Sequence, residues 1–102
     1  MGSLHYGSPP ASFEIDDRTL AHVELVMLAK LRRNESFALS IDGPDESRQT
    51  VWVNSSATLR FEFGSAVHEI NRDWLDELID SANTTAGMRI LPEPAKKGTA
   101  AA

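Results

Sequence analysis

Hydrophobic and polar residues alternate in several short segments of the chain. Around residue 14, for example, the apolar side chains of Phe13 and Ile15 flank Glu14. A period of two places successive side chains on opposite faces of an extended strand, so this pattern predicts strands with one buried face. Strands are predicted at residues 4–6, 12–16, 37–41, 51–53, 59–63 and 88–91.

Two longer segments have the period of an amphipathic helix. Apolar residues recur at intervals of three and four within residues 17–33 and again after residue 71. The apolar stripe of the first helix is wide for a helix that covers one sheet face, so we expect part of it to contact another subunit. The stripes comprise Leu20, Val23, Met27 and Leu31 in the first helix, and Trp74, Leu78 and Ala82 in the second.

The ends of both helices carry residues that suit helix caps. Asp16 or Asp17 can accept hydrogen bonds from the first free N–H groups of helix 1, and Asn71 can do the same for helix 2. Asn34 suits the C-terminal end of the first helix, and Gly87 suits the left-handed position after the second. The helix boundaries are therefore predicted from local chemistry as well as from periodicity.

The element order β-β-α-β-β-β-α-β predicts an α+β fold. We expect a mostly antiparallel sheet of five to six strands with the two helices packed on one face. The polar sequence at residues 54–56 predicts a hairpin turn between the fourth and fifth strands. Residues 1–94 are expected to form a single compact domain, and residues 95–102 a disordered C-terminal tail.

Composition limits the kinds of chemistry available to the chain. Its 102 residues carry 15 acidic and 10 basic side chains, a net charge of −5. This acidic balance disfavours nonspecific nucleic-acid binding, which depends on lysine and arginine. The chain has no cysteine, which excludes disulfides, thiolate metal sites and thiol nucleophiles. The N-terminus lacks the features of a secretory signal, and no apolar stretch is long enough to span a bilayer, so we expect a cytoplasmic protein.

The sequence contains no motif that predicts catalysis. It has no glycine-rich phosphate loop, no nucleophile elbow, and no metal-ligand spacing among its three histidines. The acidic residues Asp42, Asp45 and Glu46 surround a Gly-Pro turn and are interpreted as a solvated loop. We therefore predict no catalytic residue, no cofactor and no metal. His22, next to the apolar stripe of the first helix, is a candidate pH switch or, alternatively, a histidine at the edge of the core.

Two groups of residues are candidates for binding a partner. If Val51 and Val53 face the core, Trp52 points to the other side of the sheet, where an exposed tryptophan often anchors a partner; the opposite orientation, with Trp52 under a helix, is equally compatible with the sequence. The predicted partner surface comprises Trp52, Thr58 and Arg60. The predicted basic patch comprises Arg18, Lys30, Arg32, Arg33 and Arg72, which could grip phosphate or could serve helix-dipole and ion-pair roles.

Several segments resemble a group of short actinobacterial proteins of uncharacterised function. The resemblance lies in residues 1–7, 15–22, 30–37, 71–74 and 81–94. Members are often automatically labelled "ATP-dependent DNA ligase", so the resemblance implies an accessory role in DNA metabolism. Such ligases attach the nucleotide to the lysine of a Lys-x-Asp-Gly motif, whereas residues 40–43 here read Ser-Ile-Asp-Gly. Ligase catalysis by this chain alone is therefore not expected.

Three functional hypotheses follow from these observations. The favoured one is a non-catalytic interaction or accessory module that works as a homodimer or with a protein partner. The first alternative is a nucleic-acid-associated accessory protein that uses the basic patch. The second is a small enzyme whose unrecognised site lies around His22, His68 and the acidic loop.

Overall fold

The computed structural model describes residues 2–65 and 69–94. Within these ranges the chain has the expected α+β class and the expected order of six strands and two helices. A short 3₁₀ turn at Pro44–Glu46 lies between the third and fourth strands. The elements are β1 (Gly2–Tyr6), β2 (Ala11–Ile15), α1 (Asp17–Arg32), β3 (Phe37–Asp42), β4 (Arg48–Val53), β5 (Leu59–Glu62), α2 (Arg72–Ala82) and β6 (Met88–Arg89).

The six strands form two three-stranded sheets, which we call sheet 1 and sheet 2, where we had expected one sheet. Sheet 1 has the order β2-β1-β5, and sheet 2 has the order β4-β3-β6. All pairs are antiparallel except β3 with β6. The prediction of a mostly antiparallel architecture is confirmed, while its division into two sheets was not foreseen.

The predicted hairpin between β4 and β5 is wrong. Residues 54–58 do turn the chain, because Asn54 accepts hydrogen bonds from the N–H groups of Ser56 and Ala57. The strands on either side nevertheless take different partners: β4 pairs with β3, and β5 pairs with β1. The N–H of Gly7 donates to the carbonyl of Thr58, which extends the contact between β1 and the start of β5.

Helix caps form largely where the sequence indicates them. The carboxylate of Asp16 accepts hydrogen bonds from the first turn of α1, and the side chain of Asn71 does so for α2. Asn34 adopts a left-handed backbone conformation with φ of 58° just after the C-cap residue of α1, Arg33. The prediction that Gly87 ends α2 is wrong, because the C-cap of that helix is Asn83.

The core is built from one face of each helix and the inner faces of both sheets. Leu4 of sheet 1, Leu39 of sheet 2, Leu20 of α1 and Leu78 of α2 are all fully buried, or nearly so. Burying each large apolar side chain stabilises the fold by roughly 1.5–3 kcal/mol. Because these residues come from four different elements, the two helices and two sheets share a single hydrophobic cluster.

The two helices pack side by side and run in the same direction. At their N-terminal ends, the N–H of Asn71 contacts the ring of His22. Towards their C-terminal ends, Ala29 of α1 and Ile79 of α2 line the same small crevice. This parallel arrangement places both C-termini together at one end of the molecule and both N-termini together at the other.

Candidate interaction surfaces

Trp52 faces away from the core. It lies on β4 between Val51 and Val53, and pairs across the sheet with Ala38. Val53 is only 1% exposed, whereas Trp52 is 61% exposed. Of the two orientations that the sequence allowed, the structure therefore has the outward one.

A groove of about 420 Å³ lies beside Trp52. Its small residues, Ala38, Ala82 and Gly87, let another chain approach closely, and its polar side chains include Asn83 and Thr85. The groove lies near the C-terminal ends of both helices, where carbonyl groups concentrate partial negative charge. Its size falls in the range of small-ligand and peptide sites.

Thr58 and Arg60 line a different hollow, of about 270 Å³. Both residues are exposed, and the hollow includes His5 and Pro10 of sheet 1 and its connecting turn. Arg60 lies opposite His5 in the pairing of β1 with β5. The three residues of the predicted partner surface thus divide between two concave sites, with Trp52 at one and Thr58 and Arg60 at the other.

Arg18, one member of the predicted basic patch, forms a two-bonded ion pair with Glu93. Its Nε and Nη2 atoms donate to the two carboxylate oxygens at 2.9 and 2.6 Å, and its Nη1 donates to the carbonyl of Glu69. The hydrogen bond to Glu93 raises the pKa of Arg18. Hydrogen bonds from Arg18 and then from Asn71 lower the pKa of Glu93 to about 2. The guanidinium of Arg18 is thus already bonded to groups of its own chain.

The other basic residues lie elsewhere. Lys30 and Arg33, at the C-terminal end of α1, both approach the carboxylate of Glu35, at 3.4 and 3.7 Å. A helix of 16 residues is about 24 Å long, so Arg18 and Arg33 are far apart. Arg32 and Arg72 are exposed on α1 and α2 respectively. The five residues therefore do not form one compact cluster.

His22 is completely buried between the two helices. Its Nδ1 atom lies 2.8 Å from the carbonyl oxygen of Arg18, and its Nε2 atom lies 2.9 Å from the main-chain nitrogen of Asn71. Its ring also packs against the ring of Trp74, with centroids 4.4 Å apart and the ring planes tilted by 33°. His22 therefore joins the N-terminal ends of α1 and α2.

The segment after β6 completes this arrangement, which we call the His22 junction. The indole N–H of Trp74 donates to the carbonyl of Leu91 at 2.8 Å. The side-chain amide of Asn71 donates to Glu93 at 3.0 Å. The junction thus connects α1, α2 and residues 91–93, and it consists of Arg18, His22, Asn71, Trp74, Leu91 and Glu93.

The outer face of the helix pair exposes apolar side chains. Leu25 and Leu28 of α1 are 42% and 38% exposed, and Ile79 of α2 is 37% exposed. Ala29 lies one helical turn after Leu25 and lines a crevice of about 80 Å³ together with Ile79. These four residues form the helical face, which crosses from one helix to the other.

Comparison with protein families places residues 1–93 in a family described as a domain of unknown function, DUF7882. The chain belongs to this family. The comparison with curated proteins found no match, and the comparison with solved structures found none either. Family membership thus agrees with the resemblance to uncharacterised proteins and assigns no activity.

The site predicted for an enzyme gains no support from the residues that can be described. Asp42, at the end of β3, and Asp45 and Glu46, in the turn that follows, are all exposed, and no group of three or more potential metal ligands occurs within residues 2–65 and 69–94. His68 and the predicted tail at residues 95–102 lie outside the described residues. Among the helices described, none is long and apolar enough to cross a membrane.

Sequence reasoning missed the role of Glu93. This residue lies between two prolines just after the last predicted strand, and its partner Arg18 lies 75 positions earlier. No local pattern connects the two. Asn71 was identified as a helix cap, but its second function, the hydrogen bond to Glu93, depends on tertiary contact.

Proposed function

We propose that this domain is a non-catalytic interaction module that forms a homodimer through its helical face. The observation that carries the proposal is the exposure of Leu25, Leu28 and Ile79 on adjoining surfaces of two packed helices. A side chain exposed alone needs no explanation, but a contiguous apolar surface often marks a contact site. A homodimer would bury this surface against its own copy.

The charges around the helical face are self-complementary. The exposed stripe of α1 ends at Arg32, followed by Arg33, whereas α2 carries exposed acidic residues that include Asp76 and Asp80. In a two-fold dimer the helical face of one copy contacts the helical face of the other. Helices that lie perpendicular to the two-fold axis then run antiparallel to the helices of the second copy. The basic end of α1 can then approach the acidic α2 of the partner, which favours this orientation over others.

The groove beside Trp52 is a second feature that supports an interaction module. An exposed tryptophan at the edge of a concave site is a common anchor for protein partners. The groove adjoins the helical face, since Ala82 and Asn83 line both the groove and the crevice beside Ile79, whereas Trp52 itself lies on sheet 2. Thr58 and Arg60, at the other hollow, remain candidates for the same role.

Sedimentation velocity of the full chain at micromolar concentrations tests the dimer. We expect the wild type to self-associate and Leu28→Ser to be monomeric, since a polar side chain removes apolar area from the helical face. Trp52→Ala is the matched control, because it removes a larger exposed side chain outside the helical face. A monomeric wild type, or a dimer lost only in Trp52→Ala, would contradict the proposal.

A charge exchange tests the orientation. Arg32→Glu should weaken the dimer by placing like charges together, and adding Asp76→Arg should restore it. A double variant that associates no better than the single one would rule out this pairing of charges.

The nucleic-acid alternative has weaker support. Arg18, Lys30 and Arg33 already face carboxylates of their own chain, and each such pair reduces the positive potential available to a phosphate backbone. The accessory role in DNA metabolism implied by the sequence resemblance stays a prediction. Binding of a DNA duplex at low salt that weakens in Arg32→Glu would favour it.

A further inference from the structure

One ring nitrogen of His22 faces a main-chain hydrogen-bond acceptor, and the other faces a main-chain donor. The carbonyl oxygen of Arg18 can only accept a hydrogen bond, so Nδ1 must carry a proton. The N–H of Asn71 can only donate, so Nε2 must carry none. The geometry therefore determines the neutral ring with its proton on Nδ1, because the main-chain partners have no alternative role.

A second proton on the ring cannot be accommodated without movement. It would bind Nε2 and point at the N–H of Asn71, only 2.9 Å away. The Asn71 N–H would then lose its acceptor, and two donors would face each other in a site without solvent access. A buried donor without a partner costs about 1–3 kcal/mol, and more when a charge is added. Separation of the two groups relieves both costs.

The charged groups around His22 do not compensate for such a proton. From α1, Arg18 contacts the His22 ring through its main-chain carbonyl, and its guanidinium pairs with Glu93 of the C-terminal segment. From α2 the neighbours are the neutral Asn71 and the ring of Trp74. The carboxylate of Glu93 interacts electrostatically with His22, and that of Glu69, before α2, interacts with Arg18. Since Arg18 neutralises Glu93, no unpaired carboxylate is among these neighbours.

We propose that His22 is an acid-sensitive latch. In its neutral form it holds the N-terminus of α2 against α1. Protonation separates Asn71 from His22 and, through the side chain of Asn71, loosens Glu93 and the segment after β6. The opening is local, because both sheets and the rest of the hydrophobic cluster, beyond Trp74, lie outside the contacts that break. The latch is independent of the homodimer proposed above.

Nuclear magnetic resonance of the full chain labelled with ¹⁵N tests the first step. At about pH 7.5 the His22 ring should show a protonated Nδ1 and an unprotonated Nε2, and at a lower pH, with the protein still folded, it should show two protonated nitrogens. A ring with its proton on Nε2 at the higher pH would overturn the proposal. So would a ring that stays neutral until the whole protein unfolds.

Amide hydrogen exchange tests the second step. After correction for the intrinsic effect of pH, exchange at Asn71 and Trp74 should be at least tenfold faster at the lower pH, while Val23 and Leu39 keep their protection. His22→Gln, whose amide does not titrate, should abolish the difference, and His5→Gln should leave it intact. Equal acceleration at Leu39 would indicate global unfolding and refute the latch. Because the wild type alone gives the main comparison, the test holds even if His22→Gln folds poorly.

Discussion

The hydroxyl of Tyr6 donates a hydrogen bond of 2.6 Å to the main-chain carbonyl of Trp52, and so joins sheet 1 to sheet 2. The direction of that carbonyl follows from its neighbour on β3. A Cβ on Gly87 would lie 2.7 Å from the carbonyl oxygen of Ala38, so this oxygen points away from β4. In an antiparallel pair, two opposite residues either exchange main-chain hydrogen bonds or point their N–H and C=O groups away from each other. Ala38 and Trp52 are of the second kind, so the Trp52 carbonyl points to the outer edge of sheet 2. Tyr6 therefore covers part of an edge strand that could otherwise pair with another chain.

We expect Tyr6→Phe to lower the free energy of unfolding by about 0.5–1.5 kcal/mol, the usual contribution of one hydrogen bond. The ring remains in place, so the loss reports the hydroxyl alone. Urea denaturation measures it. Because Tyr6 covers part of the edge strand β4, we also expect this variant to aggregate more on storage, which light scattering can follow. A variant as stable as the wild type would show that water replaces the hydroxyl without loss.

The two tryptophans should respond in opposite ways to truncation. Trp74 is buried, so Trp74→Ala should lower the free energy of unfolding by about 3–5 kcal/mol. Trp52 is largely exposed, so Trp52→Ala should change stability by no more than about 0.5 kcal/mol. Thermal unfolding followed by circular dichroism measures both. A large loss in Trp52→Ala would mean that its ring supports the fold, which would weaken its assignment to a binding surface.

Glu93 should make the fold sensitive to acid. Its pKa is lowered to about 2 by Arg18 and Asn71, so the folded state binds the proton less tightly than the unfolded state, where the ordinary value is about 4.5. A lowered pKa stabilises the fold at pH values above the ordinary one, and that stabilisation is lost as pH falls from about 4.5 towards about 2. Glu93→Gln should be less stable at neutral pH by about 1 kcal/mol, since the pair is partly exposed.

The comparison with wild type across pH provides the control for Glu93. The difference in stability between Glu93→Gln and wild type should shrink as the solution is acidified through this window, whereas Glu14→Gln, at an exposed strand position, should differ little from wild type at any pH. Urea denaturation at a series of pH values measures this. A difference that stays constant down to the acid limit would contradict an ionic role for Glu93.

Gly87 and Gly7 form a matched pair for substitution. Both have a positive φ, 89° and 85°, so alanine at either position is strained by about 1–2 kcal/mol. They differ in space: a Cβ at Gly87 would collide with Ala38, whereas the nearest atom to one at Gly7 is 3.9 Å away. Gly87→Ala should therefore cost at least about 1 kcal/mol more than Gly7→Ala. Equal losses by urea denaturation would show that Ala38 moves aside freely.

Local chemistry predicted the elements of this fold well. The helices begin at Asp17 and Arg72, next to the residues identified as caps, because a cap acts within three positions of the chain. The element order and the α+β class follow from periodicity, which each segment carries by itself. The outward orientation of Trp52 was one of two alternatives, since alternation along a strand defines two faces without saying which is buried.

The tertiary structure alone decided which elements meet. Strand β5 pairs with β1 and not with its sequence neighbour β4, and His22 contacts Asn71, 49 positions away. Such contacts depend on which packing of the two sheets and two helices buries the most apolar surface. Every element contributes to that burial. The sequence determined which segments form helices and strands because those preferences are local, and the structure decided their partners because burial is shared.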